Sequence, residues 1–324
     1  MAGFRTSSNV PVSLPFEGMD LSVPIPLLPE TRAVWIENFT IDGQTLRTRG
    51  GSDLFNTMAG LELPVDRTVA LASYTFPDGS QTAFAYYESG FRTHNVESGA
   101  HVDSPGDFDA NTNFMYYRGI LILQDGNTGG IVPPRIYNGV SWASSGFVTL
   151  LGVPYDRKLV ATTAHRNRLY FVENESLNLW YSPVDSISGT LQKFDMSSLF
   201  LGGGVLFGAY TISTFSNQTS SDSLAIISTL GEILIYGGSY PVSPDWQLIQ
   251  RVQTGKLLSR NSVVLLDGDT ILCTAIGIVS LRGLIEARGS NAEYNTISKP
   301  IDTYWRSLFS VVATPDSKIH SLYL

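Results

Sequence analysis

The sequence predicts an all-β fold, a β-propeller built from repeated antiparallel sheets with an extended N-terminal arm. Three observations predict it. Between Asn113 and Leu281, short apolar strands alternate with tight-turn pairs such as Asn167-Arg168 and Leu230-Gly231. The units start about 40–50 residues apart, the spacing of four-stranded blades with variable loops. Large aromatics recur near the ends of units, at Trp142, Trp180 and Trp246. Radial repetition of such strand groups hides sheet edges and points to a scaffold rather than a catalyst.

Residues 1–32 come first as an arm. Pro11, Pro15, Pro24, Pro26 and Pro29 remove backbone donors and fix φ, so this stretch is extended and gains order only by lying on something. The rest, 33–324, is assigned to the propeller, either whole, incomplete or with a small accessory platform. Ala33 to Phe39 and Gln44 to Arg49 flank Asp42-Gly43, a hairpin signal. A first repeat follows, from Thr68 to Val96, turning at Asp78-Gly79 and Ser89-Gly90. The second covers about 112–142, the third 157–195, the fourth 205–252 and the fifth 259–285.

Small apolar runs suit the crowded axis, and Val69 to Ala72 and Leu224 to Ile227 are expected there. The three tryptophans are expected to fill the widening gaps between sheets. Gly126 to Pro134 reads as a loop, and Gly202-Gly203-Gly204 as a second glycine cluster. Thr211 to Ser223, rich in Ser and Thr, reads as a long outer loop or a separate extended segment. The tail carries Tyr304-Trp305 and Leu308 to Val312, then an Asp316-Ser317 turn, and its stop on the apolar strand His320 to Leu324 suits either ring closure by that last strand or a sequence cut short.

The totals narrow the function classes. The chain has 324 residues, 43% of them apolar, enough for a sizeable core. Its 29 acidic and 21 basic side chains give a formal charge of -8, which argues against a nonspecific grip on nucleic acid. The single cysteine, Cys273, excludes an intrachain disulfide and reads as a small buried apolar residue. Met1 to Val10 carry no signal-peptide run, and no stretch reaches the length of a membrane helix. Synthesis and folding in a reducing cytoplasm are expected.

Candidate chemistry is sparse. His94, His101, His165 and His320 show no metal-ligand spacing. His101 with Asp103, Asp107 and Asp109 reads as a solvated acidic loop sooner than a cation site. His165 lies in a polar hairpin corner, Ala164 to Arg168, that needs no catalytic explanation. There is no Gly-x-Ser-x-Gly elbow, and Gly202 to Gly204 lack the following Lys-Ser/Thr of a phosphate loop. Asp267-Gly268-Asp269 is a good turn without the glutamate of a calcium loop, and Glu173 with Glu175 is a weak carboxylate pair. No catalytic, cofactor-binding or metal-binding residue is assigned, and no enzyme activity or cofactor is expected. Arg47 with Arg49, Arg166 with Arg168, and Arg251, Lys256 and Arg260 are candidates for rim contacts that orient a neighbouring subunit.

The order of certain segments resembles a known family. These are Trp35 to Phe39, Thr45 to Gly50, Pro134 to Trp142, Asn167 to Gly189, Leu201 to Gly204, Thr229 to Tyr236 and Gly277 to Ser280. Together they resemble the propeller-containing tail hub or nozzle of short-tailed phages, also called the tail tubular or packaged-DNA stabilisation protein. That resemblance implies a virion protein in a homohexamer around an axial channel, beneath the portal and its adaptor. It implies retention and outward conduction of double-stranded DNA through transient, nonspecific contact, with no membrane insertion and no catalytic residue to carry over. Two other classes compete: a glycan-binding or glycan-hydrolysing propeller, and a cytoplasmic propeller scaffold for protein partners.

Overall fold

The computed structural model describes residues 15, 17–37, 39–42, 45–48, 68–87, 90–95, 101–103, 113–124, 133–150, 156–216, 219–266, 269–287 and 296–309. The chain is a β-propeller. After the hairpin β1 (Phe39–Asp42) and β2 (Thr45–Thr48), the first blade is β3 (Thr68–Thr75), β4 (Gln81–Tyr87), β5 (Gly90–Asn95) and β6 (His101–Asp103). The second blade is β7 (Asn113–Tyr117), β8 (Ile120–Gln124), β9 (Arg135–Tyr137) and β10 (Trp142–Ser144). A short strand, β11 (Gly146–Val148), leads to the third blade: β12 (Leu159–His165), β13 (Arg168–Glu173), β14 (Asn178–Tyr181) and, after β15 (Ser188–Thr190), β16 (Gln192–Asp195). The fourth is β17 (Leu206–Ser216), β18 (Thr219–Ser228), β19 (Glu232–Gly237) and β20 (Gln247–Gln253). A three-stranded sheet follows, β21 (Val263–Leu266), β22 (Asp269–Thr274) and β23 (Gly277–Ser280), then helices α1 (Leu281–Glu286) and α2 (Asp302–Phe309).

Neighbouring strands within each blade are antiparallel, and the opening strands of successive blades lie side by side: β3 by β7, β7 by β12, β12 by β17. That juxtaposition puts the first strand of each blade nearest the axis. The gaps between blades are filled in series by apolar clusters. Tyr74, Phe84, Leu121, Leu123 and Tyr137 join the first blade to the second, with Trp142 packed on them. Tyr117, Ile122, Leu169, Phe171 and Trp180 join the second to the third. Tyr170, Leu179, Leu224, Ile226 and Leu234 join the third to the fourth, with Trp246 against the cluster. Each tryptophan thus fills an inter-sheet gap, as their spacing predicts. Fully burying each Leu, Ile or Phe contributes about 1.5–3 kcal/mol, so these seams contribute strongly to stability.

The last sheet is closed differently. One face meets the fourth blade through Leu272 and Val279, with Leu281 and Leu284 of α1. Its other face carries Leu258, Cys273 and Ile278 beneath Trp305 of α2. Trp305 Nε1 donates to the Thr274 carbonyl at 2.8 Å, which fixes the ring over the sheet. Tyr304 and Trp305 thus lie on a helix whose indole covers this face. The stretch from 310 to 324 lies outside the described residues. The arm reaches the same end: Leu21 N–H donates to the Pro300 carbonyl at 2.7 Å, and Trp35 meets Tyr304 edge-on at 6.1 Å.

Three further expectations are corrected. Thr211 to Ser223 is mostly ladder rather than loop: β17 and β18 pair from Leu206↔Ser228 out to Ser216↔Thr219. Serine and threonine are compatible with a strand when the backbone ladder continues through them. Leu224 to Ile227 consequently lie on the second strand of their blade, not the axial one, since β17 takes the inner place. His101 and Asp103 form the edge strand β6, paired with His94 and Arg92, instead of a loop; Asp107 and Asp109 lie outside the described residues. Nothing in the sequence predicts the parallel pair β11 and β15. It runs Gly146↔Ser188, and an added Cβ on Gly146 would stand 2.9 Å from Ser188 Cβ, so the strands approach only because position 146 has no side chain.

Candidate functional site

The sequence-level carboxylate pair separates in space by role. Glu173 ends β13 and is 9% exposed; its Oε2 accepts from Trp180 Nε1 at 2.9 Å and from Asn178 Nδ2 at 2.8 Å. Arg157 stands 3.5 Å from the other oxygen and 5.8 Å from the centre of the Trp180 ring. The carboxylate orients the indole that fills the second seam. Glu175 lies exposed on the following turn at φ 53°. Asp269 is also structural: Oδ1 accepts from Arg282 N–H at 2.9 Å and Oδ2 from the Ser280 hydroxyl, beside the Ser280 cap of α1 at Gly283 N–H. Among the described residues, no three His, Cys, Asp or Glu side chains group to hold a metal ion.

Glu232 is the buried acid that sequence reasoning missed. It opens β19 at 3% exposure, and its oxygens accept from Leu201 N–H at 3.1 Å and Gly202 N–H at 2.7 Å. Arg251 on the adjacent strand pairs with the same carboxylate and donates to the Leu199 carbonyl at 2.8 Å. The glycine cluster between the third and fourth blades is thus held by an acid from the fourth. Its signal was present in the Thr229 to Tyr236 run, where a lone acid precedes four apolar residues.

Several arginines are engaged within the chain. Arg251 serves Glu232, and Arg260 Nε donates to the Phe207 carbonyl at 3.2 Å. Arg168 donates to the Ser182 carbonyl at 2.8 Å with its guanidinium 4.3 Å from the Tyr240 ring centre. Exposed Arg166 reaches the Asp222 carbonyl at 3.1 Å. Arg47 is exposed on β2, and Arg49 lies outside the described residues.

A repeated polar clasp crosses the seams. Tyr74, near the end of β3, donates to the Gly119 carbonyl in the β7–β8 turn at 2.7 Å. Tyr117, at the end of β7, donates to the Asn167 carbonyl in the β12–β13 turn at 3.0 Å. Burial holds both phenols above their ordinary pKa, so they stay protonated donors. His165, at the end of β12, occupies the corresponding place and meets Thr211 Oγ1 of β17 at 3.2 Å. The receiving turns have positive φ at both central residues, Arg118 at 50° with Gly119 at 77°, and Arg166 at 43° with Asn167 at 64°. Such turns match the twist of paired strands and present their carbonyls outward.

Where the arm, β1 and the start of α2 meet there is an apolar groove of about 550 Å³, lined chiefly by Met19, Trp35, Phe39, Ile41, Ile301 and Tyr304. Trp35, Phe39 and Ile41 are each more than two-fifths exposed at its rim.

No family model matches the chain, and no curated protein matches it. Among solved structures it is similar to the extracellular domain of a putative hybrid two-component system from B. thetaiotaomicron, at 14% identity and TM-score 0.43, over 75% of this chain and 28% of that one. YCF48 from Cyanidioschyzon merolae is similar at 8% identity and TM-score 0.41, over 74% of this chain and 72% of that one. Raptor from Chaetomium thermophilum is similar at 9% identity and TM-score 0.41, over 73% of this chain and 20% of that one. The chain thus spans about a quarter of the length of that extracellular domain and a fifth of Raptor's.

Proposed function

We propose that this protein is a structural component of a phage virion, part of the tail hub or nozzle channel that retains genomic DNA and conducts it during ejection. The observation that carries the reading is a contact between two stretches that resemble that family separately. Glu232, within Thr229 to Tyr236, grips the amides of Leu201 and Gly202, within Leu201 to Gly204. The seams supply the stiffness a pressurised conduit needs, and the buried acids Glu173 and Glu232 hold loops and rings. In this reading six identical copies surround the channel, the portal adaptor and other tail proteins are the neighbours, and contact with duplex DNA is transient. A formal charge of -8 favours passage of DNA over capture. The location is the virion tail, after assembly in the host cytoplasm.

Native mass spectrometry of the purified chain, with proteomics of intact virions, tests this. A sixfold mass and presence in virions are expected. A monomer at micromolar concentration that is also absent from virions would overturn it.

A further inference from the structure

We propose that the seam between the third and fourth blades is an acid-sensitive joint, with His165 as the proton acceptor that opens it. The inference is independent of the phage-tail reading. It begins with the three clasps. Tyr74 and Tyr117 clasp the first two seams with hydroxyls that acid leaves unchanged, whereas in the third the corresponding place holds an imidazole, beside the bonds from Thr211 to Ala164 and from Arg166 to Asp222.

The tautomer follows from the donors. The Thr211 hydroxyl has one proton, and it is directed to the Ala164 carbonyl at 2.6 Å. Its oxygen is therefore left to accept, so Nδ1 of His165 carries the hydrogen. The lone pair sits on Nε2, which is buried and has no hydrogen-bond partner among the described residues. The side chain is 1% exposed. A proton arriving at Nε2 places a charge inside the seam.

The surroundings resist that charge. Burial first, and then the neighbouring Arg166, bring the pKa of His165 from its ordinary 6.5 down to about 4, against the opposing pull of Asp222 on β18 and the nearby backbone of Gly238. From β13, Tyr170 presents an aromatic ring 6.1 Å away, and Arg168, the cross-strand partner, is bound at Ser182 and Tyr240. From β17 the facing group is the neutral Thr211 hydroxyl. The folded pKa lies below the unfolded one. The stabilisation is therefore complete above pH 6.5 and is lost as pH falls towards 4, where the opened state binds more protons. Those two values set the ceiling of the shift in the opening equilibrium at about two orders of magnitude, approached only at pH 4 and below.

The test is hydrogen exchange followed by mass spectrometry, with rates corrected for intrinsic pH dependence, on the full chain and on His165→Gln. Glutamine retains an amide donor for Thr211 and does not titrate. Protection of β12 and β17 should fall selectively between pH 6.5 and 4 in the wild type and hold steady in His165→Gln. The same loss in both proteins would overturn the proposal. Should the variant fail to fold, the imidazole resonances of the wild type decide: a histidine at its ordinary pKa for every one of the observed rings overturns it, and one ring titrating near 4 together with seam opening supports it.

Discussion

Glu173 and Glu232 are both buried but do different work, and single substitutions separate them. In Glu173→Gln the amide oxygen can still accept from Trp180 and Asn178, and only the longer ion pair with Arg157 disappears. The expected loss in urea unfolding is below about 1 kcal/mol. Glu232→Ala leaves two backbone N–H groups and Arg251 without their acceptor. There the expected loss is about 2–4 kcal/mol, moderated because the arginine is one-third exposed. At the clasp, Tyr117→Phe keeps the ring in its cluster and deletes one hydrogen bond, for about 0.5–1.5 kcal/mol in the same measurement. Roles of this kind were hard to read in the sequence. A carboxylate next to an apolar run looks the same whether it binds a ligand or a backbone amide, and only the folded partner separates them.

Elements were more legible than contacts. Asp78-Gly79 and the Leu230-Gly231 pair announce turns because their residues reach positive φ or tolerate it, and the structure turns at both. Gly231, at φ 82°, also meets the next turn: an added Cβ would lie 2.4 Å from the Gly255 carbonyl oxygen. Gly231→Ala should therefore destabilise by more than about 2 kcal/mol, from backbone strain and the clash together, read as a lowered midpoint in thermal unfolding. The long β17–β18 hairpin is hidden in the sequence because polar side chains on a strand mimic loop composition. Likewise, α2 is hidden because its eight residues make little more than two turns, too short a stretch for a helical period to stand out in the sequence. The short pair β11 and β15 joins segments some forty residues apart, and no local pattern encodes that.

At the scale of the molecule, the seams form a chain of apolar clusters that ends under a helix. Trp305→Ala removes the cover from Leu258, Cys273 and Ile278 together with the hydrogen bond to Thr274. A loss of about 3–5 kcal/mol is expected from such a large-to-small change at a buried site. Near-ultraviolet circular dichroism should report it as a lowered melting midpoint, while the first two seams, built around Phe84 and Phe171, keep their aromatic signals. A uniform loss of all aromatic signals at one lowered temperature would mean that the blades melt as one unit. Repetition made the blade spacing and the tryptophan positions readable in advance. The capping of the final sheet was not readable, since it breaks the repeat.

Cys273, 8% exposed beneath that indole, is the sole sulfhydryl among 324 residues, and burial pushes its pKa up. A small disulfide reagent in solution can reach it only when the lid lifts. The speed of its capture under native conditions consequently counts those excursions directly, without any label having to be engineered into the molecule.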